Sequence, residues 1–110
     1  MAETKSYLVL WAHTARQDLT EIVEYIAQDS VADALAILQK LEAEAALLIT
    51  LPNRARVVPE LLHTGIAQYR ELSSAPWRIV YRVDNRQVLI MAVLDNRRDL
   101  QTVLLNRLAR

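Results

Sequence analysis

The chain has 110 residues, 53% of them hydrophobic, with no Cys, no Phe and a formal net charge of zero. That length makes one domain with a single core. The missing cysteines exclude a disulfide framework and a thiolate site, and two His without an acidic cluster argue against a metal centre. The zero charge conceals a split. Asn53 to Arg110 carries ten Arg and no Lys against five acids, a net of +5, whereas the first 52 residues carry a net of −5. Arg suits bidentate contacts with carboxylates and phosphates, so the basic half points to an acidic partner. The apolar content is high for so small a chain, and a standing partner is expected to cover the excess.

In chain order, Tyr7–Trp11 is short, mostly apolar and rich in strand formers, which predicts a strand buried on both faces. It is too short for a signal sequence or a membrane span, so the protein is expected in the cytoplasm. Thr14 to Gln17 fits a capping box and places a helix start near Thr14. Leu19, Ile22, Val23 and Ile26 form the apolar stripe of that helix, with Arg16, Asp18, Glu21 and Glu24 off it. Ser30, three residues before Asp33, is a second N-cap, and Val31 to about Thr50 is Ala- and Leu-rich helix material ended by Pro52. Its stripe is Leu38, Leu41, Ala45 and Leu48. The two helices should form an antiparallel hairpin with Ile22, Ile26, Leu38 and Leu41 buried.

Asn53 to Gly65 reads as a loop with one extended piece, residues 56–59. Gln68–Leu72 is a strand, and 73–76 is a turn. Trp77–Val83 alternates in period two, 84–86 is a hairpin turn, and Val88–Leu94 is a continuous apolar run suited to a central strand. Asp99 to Arg110 is a short amphipathic tail helix. The whole predicts a two-layer α+β domain: a mostly antiparallel four-stranded sheet with the helix hairpin on one face.

Four runs then stand in order: Arg56-Val57-Val58-Pro59-Glu60-Leu61, Tyr69-Arg70-Glu71-Leu72, Trp77-Arg78-Ile79-Val80-Tyr81-Arg82-Val83 and Val93-Leu94-Asp95-Asn96-Arg97-Arg98-Asp99-Leu100. Together they resemble the ParE branch of the RelE/ParE toxin superfamily, over nearly the whole chain. The resemblance implies the toxin of a bacterial toxin–antitoxin pair, in a hetero-oligomer with a cognate antitoxin and with no cofactor. ParE-type members inhibit DNA gyrase, and RelE-type members cleave mRNA on the ribosome. The shared fold does not choose between them.

An mRNA endoribonuclease must move a proton from the 2′-OH, protonate the leaving 5′-oxygen and hold the phosphate. In the RelE-type pattern, Arg78 and Arg98 match the phosphate-holding arginines. Tyr69 and Glu71 stand where lysines are expected, and Leu104 stands at the C-terminal aromatic position. Tyr69 is then the one remaining proton-transfer candidate, although it also reads as a strand aromatic packed on the sheet, and Glu71 as a partner for a nearby Arg. His13 and His63 read as surface residues. The preferred reading is therefore a non-enzymatic, gyrase-directed toxin. Its contact surface would comprise Arg78, Arg82, Arg97, Arg98 and the Arg107/Arg110 end. The helix spanning Val31 to Thr50 is apolar on much of its circumference, so Leu35 and Leu47, together with Tyr81, are assigned to antitoxin contact. The alternatives are a ribonuclease using Tyr69, Arg78 and Arg98, or a domain that binds antitoxin but has lost toxicity.

Overall fold

The computed structural model describes residues 6–108. The elements are β1 (Leu8–Trp11), α1 (His13–Ala27), α2 (Val31–Ala46), β2 (Arg56–Val57), α3 (Pro59–Leu62), β3 (Tyr69–Ser74), β4 (Trp77–Asp84), β5 (Gln87–Asp95) and α4 (Leu100–Leu108). A 3₁₀ turn, Leu47–Ile49, prolongs α2 before Pro52. Among the described residues no helix is long and apolar enough to cross a membrane. Arg110 lies outside the described residues.

The sheet has five strands in the order β1-β5-β4-β3-β2, one more than expected. The extra strand is the extended piece at Arg56–Val57, which pairs antiparallel with Glu71 and Arg70. Two paired residues leave no periodicity to read. The three strands β3, β4 and β5 form the expected antiparallel meander, and β1 closes the far edge in parallel with β5, Leu8 opposite Gln87 and Trp11 opposite Ile90.

That edge position corrects the expectation for β1. Val9 and Trp11 pack on the core, while Leu8 and Leu10 point outward and stay exposed. An apolar run does not distinguish a central strand from an edge strand that is covered elsewhere.

The α1–α2 hairpin lies on one face of the sheet, as expected. Leu19, Leu41, Ala45 and Leu48 meet Ile79, Tyr81, Val88, Ile90 and Val93 in the main core. Leu41 is fully buried, whereas Ile22, Ile26 and Leu38 are half-buried. Ser30 caps α2 by accepting the Asp33 N–H at 3.1 Å. Thr14 does not cap α1: the helix begins one residue earlier, behind Ala12, and the Thr14 hydroxyl instead donates to the Met91 carbonyl at 3.4 Å.

The second sheet face is also partly covered, by the short helix α3 and by α4. Leu61 of α3 and Leu100 and Leu104 of α4 pack on Tyr69, Val80, Ala92 and Leu94. A bulge in β5 allows both faces to be filled. Val80 pairs with Ala92 and Tyr81 with Ile90, so Met91 is an extra residue. It resets the alternation, so that Val88, Ile90 and Val93 face the hairpin while Ala92 and Leu94 face α4.

Candidate functional site

Strand alternation sorts the arginines. On β4, Trp77, Ile79, Tyr81 and Val83 face the helix hairpin, and Arg78 and Arg82 face the other side. There Arg78 meets Glu71 of β3 and Glu60 of α3. Its Nη1 donates to Glu60 Oε1 at 2.9 Å and to Glu71 Oε1 at 3.0 Å, its Nη2 to Glu60 Oε2 at 2.8 Å, and its Nε to Asn96 Oδ1 at 2.6 Å. Arg56 on the edge strand donates twice to Glu71 Oε2. The Glu71 side chain is 1% exposed and that of Arg78 13%. The bond from Arg78 holds the Glu60 carboxyl below its ordinary value. This quartet is saturated from within. Arg78, expected to meet a target, is engaged here by Glu60, Glu71 and Asn96, and Glu71 is the Arg partner that its alternative reading proposed.

Arg107, also expected on the target surface, is likewise engaged within the fold. It makes a bidentate pair with Asp18, both contacts at 2.7 Å. Asp18 was assigned off the apolar stripe of α1 but is buried. The reason lies in β5. Its partner β1 ends at Trp11, opposite Ile90, where the chain turns into α1. Beyond that point the outer edge of β5 has no strand beside it. Side chains take over: Asp18 Oδ2 accepts the Val93 N–H at 3.0 Å, and the Met91 carbonyl accepts from Thr14 and Arg107. An open sheet edge inside the protein must satisfy its backbone groups, and a carboxylate–guanidinium pair does so here.

Tyr81, expected on the antitoxin surface, is fully buried on the hairpin face. Its hydroxyl donates to the Pro52 carbonyl at 2.5 Å, and burial pushes the phenol up to about 12. Tyr69 is also buried, in the cluster beneath α3 and α4. Leu104 belongs to the same cluster. Arg82 lies half-buried on this face, with Tyr69 and Leu89 as its register partners.

Arg97 and Arg98 differ from all of these. They sit in the β5–α4 turn and are exposed. Arg97, with its side chain 84% exposed, pairs with Asp95, whose carboxyl its hydrogen bonds pull down to about 2. Asp99 caps α4 by accepting from the Thr102 N–H and hydroxyl. Among the described residues Arg98 pairs with no carboxylate. Beside this turn lies an open cleft of about 580 Å³, floored by Ile22, Ile26, Trp77 and Val93 and rimmed by Tyr25 and Glu21 on the α1 side.

A second feature lies along α2. Leu35 and Leu47 are exposed by 52% and 53%, and Ile49 and Leu51 continue the apolar surface. A shallow hollow of about 230 Å³ opens between Leu47, Leu51 and Leu72. The Tyr7 N–H donates to the Ile49 carbonyl, which brings the start of β1 alongside. Among the described residues no group of three or more His, Asp or Glu converges as a metal site.

Comparison with known proteins bears on this arrangement. The fold is similar to that of a chain in the chromosomal ParDE toxin–antitoxin system of P. aeruginosa, with a TM-score of 0.66 and 19% identity over 82% of this chain and 96% of that one. It is also similar to a chain of the RelBE2 toxin–antitoxin complex from Mycobacterium tuberculosis, with a TM-score of 0.58 and 22% identity over 86% of this chain and 97% of that one. No curated protein matches in sequence. The model of the ParE toxin of type II toxin–antitoxin systems matches residues 9–100, from the first strand through the Arg97-Arg98 turn. The chain therefore belongs to the ParE toxin family of type II toxin–antitoxin systems.

Proposed function

We propose that this toxin acts without catalysing a reaction, by binding DNA gyrase and stabilising its complex with cleaved DNA, and that a cognate antitoxin neutralises it in the cytoplasm. The observation that carries this reading is the state of the positions a ribonuclease would use. Arg78 is committed to Glu60 and Glu71. Tyr69 and Leu104 are buried in one apolar cluster. A phosphate-holding cation already satisfied by two carboxylates is a poor ligand for an incoming phosphodiester, and a buried phenol is a poor proton donor to one.

The target surface is then narrower than the arginine count suggests. Arg97 and Arg98 present free or easily exchanged guanidinium groups at an open turn, with Arg82 further along the sheet. Bidentate contacts from such groups hold an acidic protein surface without chemistry. For the antitoxin, the exposed Leu35 of α2 and Leu47 of the 3₁₀ turn that prolongs it offer an apolar strip on which an amphipathic segment can lie.

The test compares the purified toxin in two assays, supercoiling by gyrase and cleavage of ribosome-bound mRNA. Inhibition of supercoiling with intact mRNA is the expected result, relieved by the neighbouring gene product. Cleaved mRNA with unaffected supercoiling would replace this reading with the ribonuclease. No effect in either assay, with antitoxin binding retained, would leave an antitoxin-binding domain.

A further inference from the structure

We infer that the cleft between α1 and the β5–α4 turn is the recognition pocket for the toxic target, and that it receives a bulky apolar side chain with a carboxylate beside it on a segment of the target protein. The inference rests on the target-binding reading above and specifies the partner's chemistry.

The charges on the cleft wall select the occupant. Three carboxylates line it, those of Asp18, Glu21 and Asp95. Two are already neutralised, Asp18 by Arg107 and Asp95 by Arg97. What remains is a lone cation at the turn, Arg98, and a lone anion on α1, Glu21. A nucleic-acid backbone, with a negative charge on every phosphate, would meet repulsion along the α1 wall. A peptide segment with a single carboxylate directed to Arg98 brings only one negative charge, which that cation can pair, and leaves the rest of the cleft to apolar contact.

The floor selects the rest. Ile22, Ile26, Trp77 and Val93 are apolar, and about 580 Å³ lies within the range of pockets that enclose several side-chain groups. Tyr25 stands on the rim 73% exposed, an aromatic of the type that anchors protein interfaces. The exposed leucines assigned to the antitoxin lie along α2, away from this cleft, so one partner does not have to cover both surfaces.

The experiment uses the full chain expressed with and without its antitoxin. Tyr25→Asp introduces a charge at an exposed helix position, and Arg98→Glu reverses the lone cation. Growth arrest, antitoxin affinity and melting temperature are measured for each. Either variant is expected to lose toxicity about tenfold or more while antitoxin affinity and melting temperature stay unchanged. Should Tyr25→Asp fold poorly, Arg98→Glu, on an open turn, carries the test alone. Full toxicity in both folded variants would overturn the inference, as would loss of antitoxin binding in place of toxicity. A supercoiling assay run in parallel keeps the two ideas separable. If the unmodified toxin arrests growth without touching gyrase, gyrase is the wrong target, yet loss of arrest in the variants still assigns the cleft.

Discussion

The second sheet face and the β5–α4 turn hold arginines that look alike in the sequence and differ in what surrounds them. Arg78 is ringed by Glu60, Glu71 and Asn96, and Arg107 is clamped on Asp18. Arg97 and Arg98, a few residues away, stand in solvent. The difference shows that a basic sequence is not a basic surface. Cations absorbed by buried carboxylates support the fold, and only the remainder can meet a partner.

The comparison breaks most visibly at Arg107. Arg107→Ala leaves Asp18 buried with only the Val93 N–H as a partner and removes the link between α4 and α1. Loss of one member of such a pair typically costs about 3–5 kcal/mol, and denaturant unfolding should show a loss of that size. An unchanged midpoint would mean that Asp18 is hydrated and that the pair is ornamental. Arg78→Met should cost less, about 1–3 kcal/mol, because Glu71 keeps Arg56. If toxicity falls in that variant, it should fall in proportion to folded protein.

Acid probes the same face more gently. The Arg78 hydrogen bond lowers the folded Glu60 carboxyl below its ordinary value near 4.5, so its contribution is fully present above that value. It is lost as pH falls through the depressed folded value. The melting temperature should drop more steeply below about pH 4.5 in the natural chain than in Arg78→Met, where this linkage is gone. Parallel acid limbs would refute it. The smallest effect on the fold is expected from the joint change Arg97→Ala with Arg98→Ala. Melting temperature and antitoxin binding should be unaltered while toxicity disappears. Retained toxicity would erase the distinction between the two regions.

What could be read in advance follows from periodicity. The hairpin was legible in the stripes around Leu19 and Leu41 and in the Ser30 cap, and β4 and β5 in their alternating and continuous apolar runs. The edge character of β1 was not, because partners come from Gln87–Ile90, far along the chain. The charged pairs were partly legible. Glu71 reads as a partner for a nearby Arg, but Asp18 reads as lying off the α1 stripe, although Ala15, Asp18, Ile22 and Ile26 also share a helical spacing that puts it on the inner side. The identity of its cation, Arg107, depended on the packing of α4. The cleft left no signal, since α1, the start of β4 and the β5–α4 turn meet only in three dimensions.

The parallel pairing of β1 with β5 also has a consequence for biosynthesis. Leu8 finds Gln87, and Asp18 finds Arg107, only when nearly the whole chain exists. Ribosomes add about 5–20 residues per second, so β1 waits several seconds with the core-facing Val9 and Trp11 uncovered. Pairings of such long sequence separation are also slow to close once available. A nascent chain therefore cannot assemble its main core before β5 has been made, and Asp18 gains its cation only once α4 has followed.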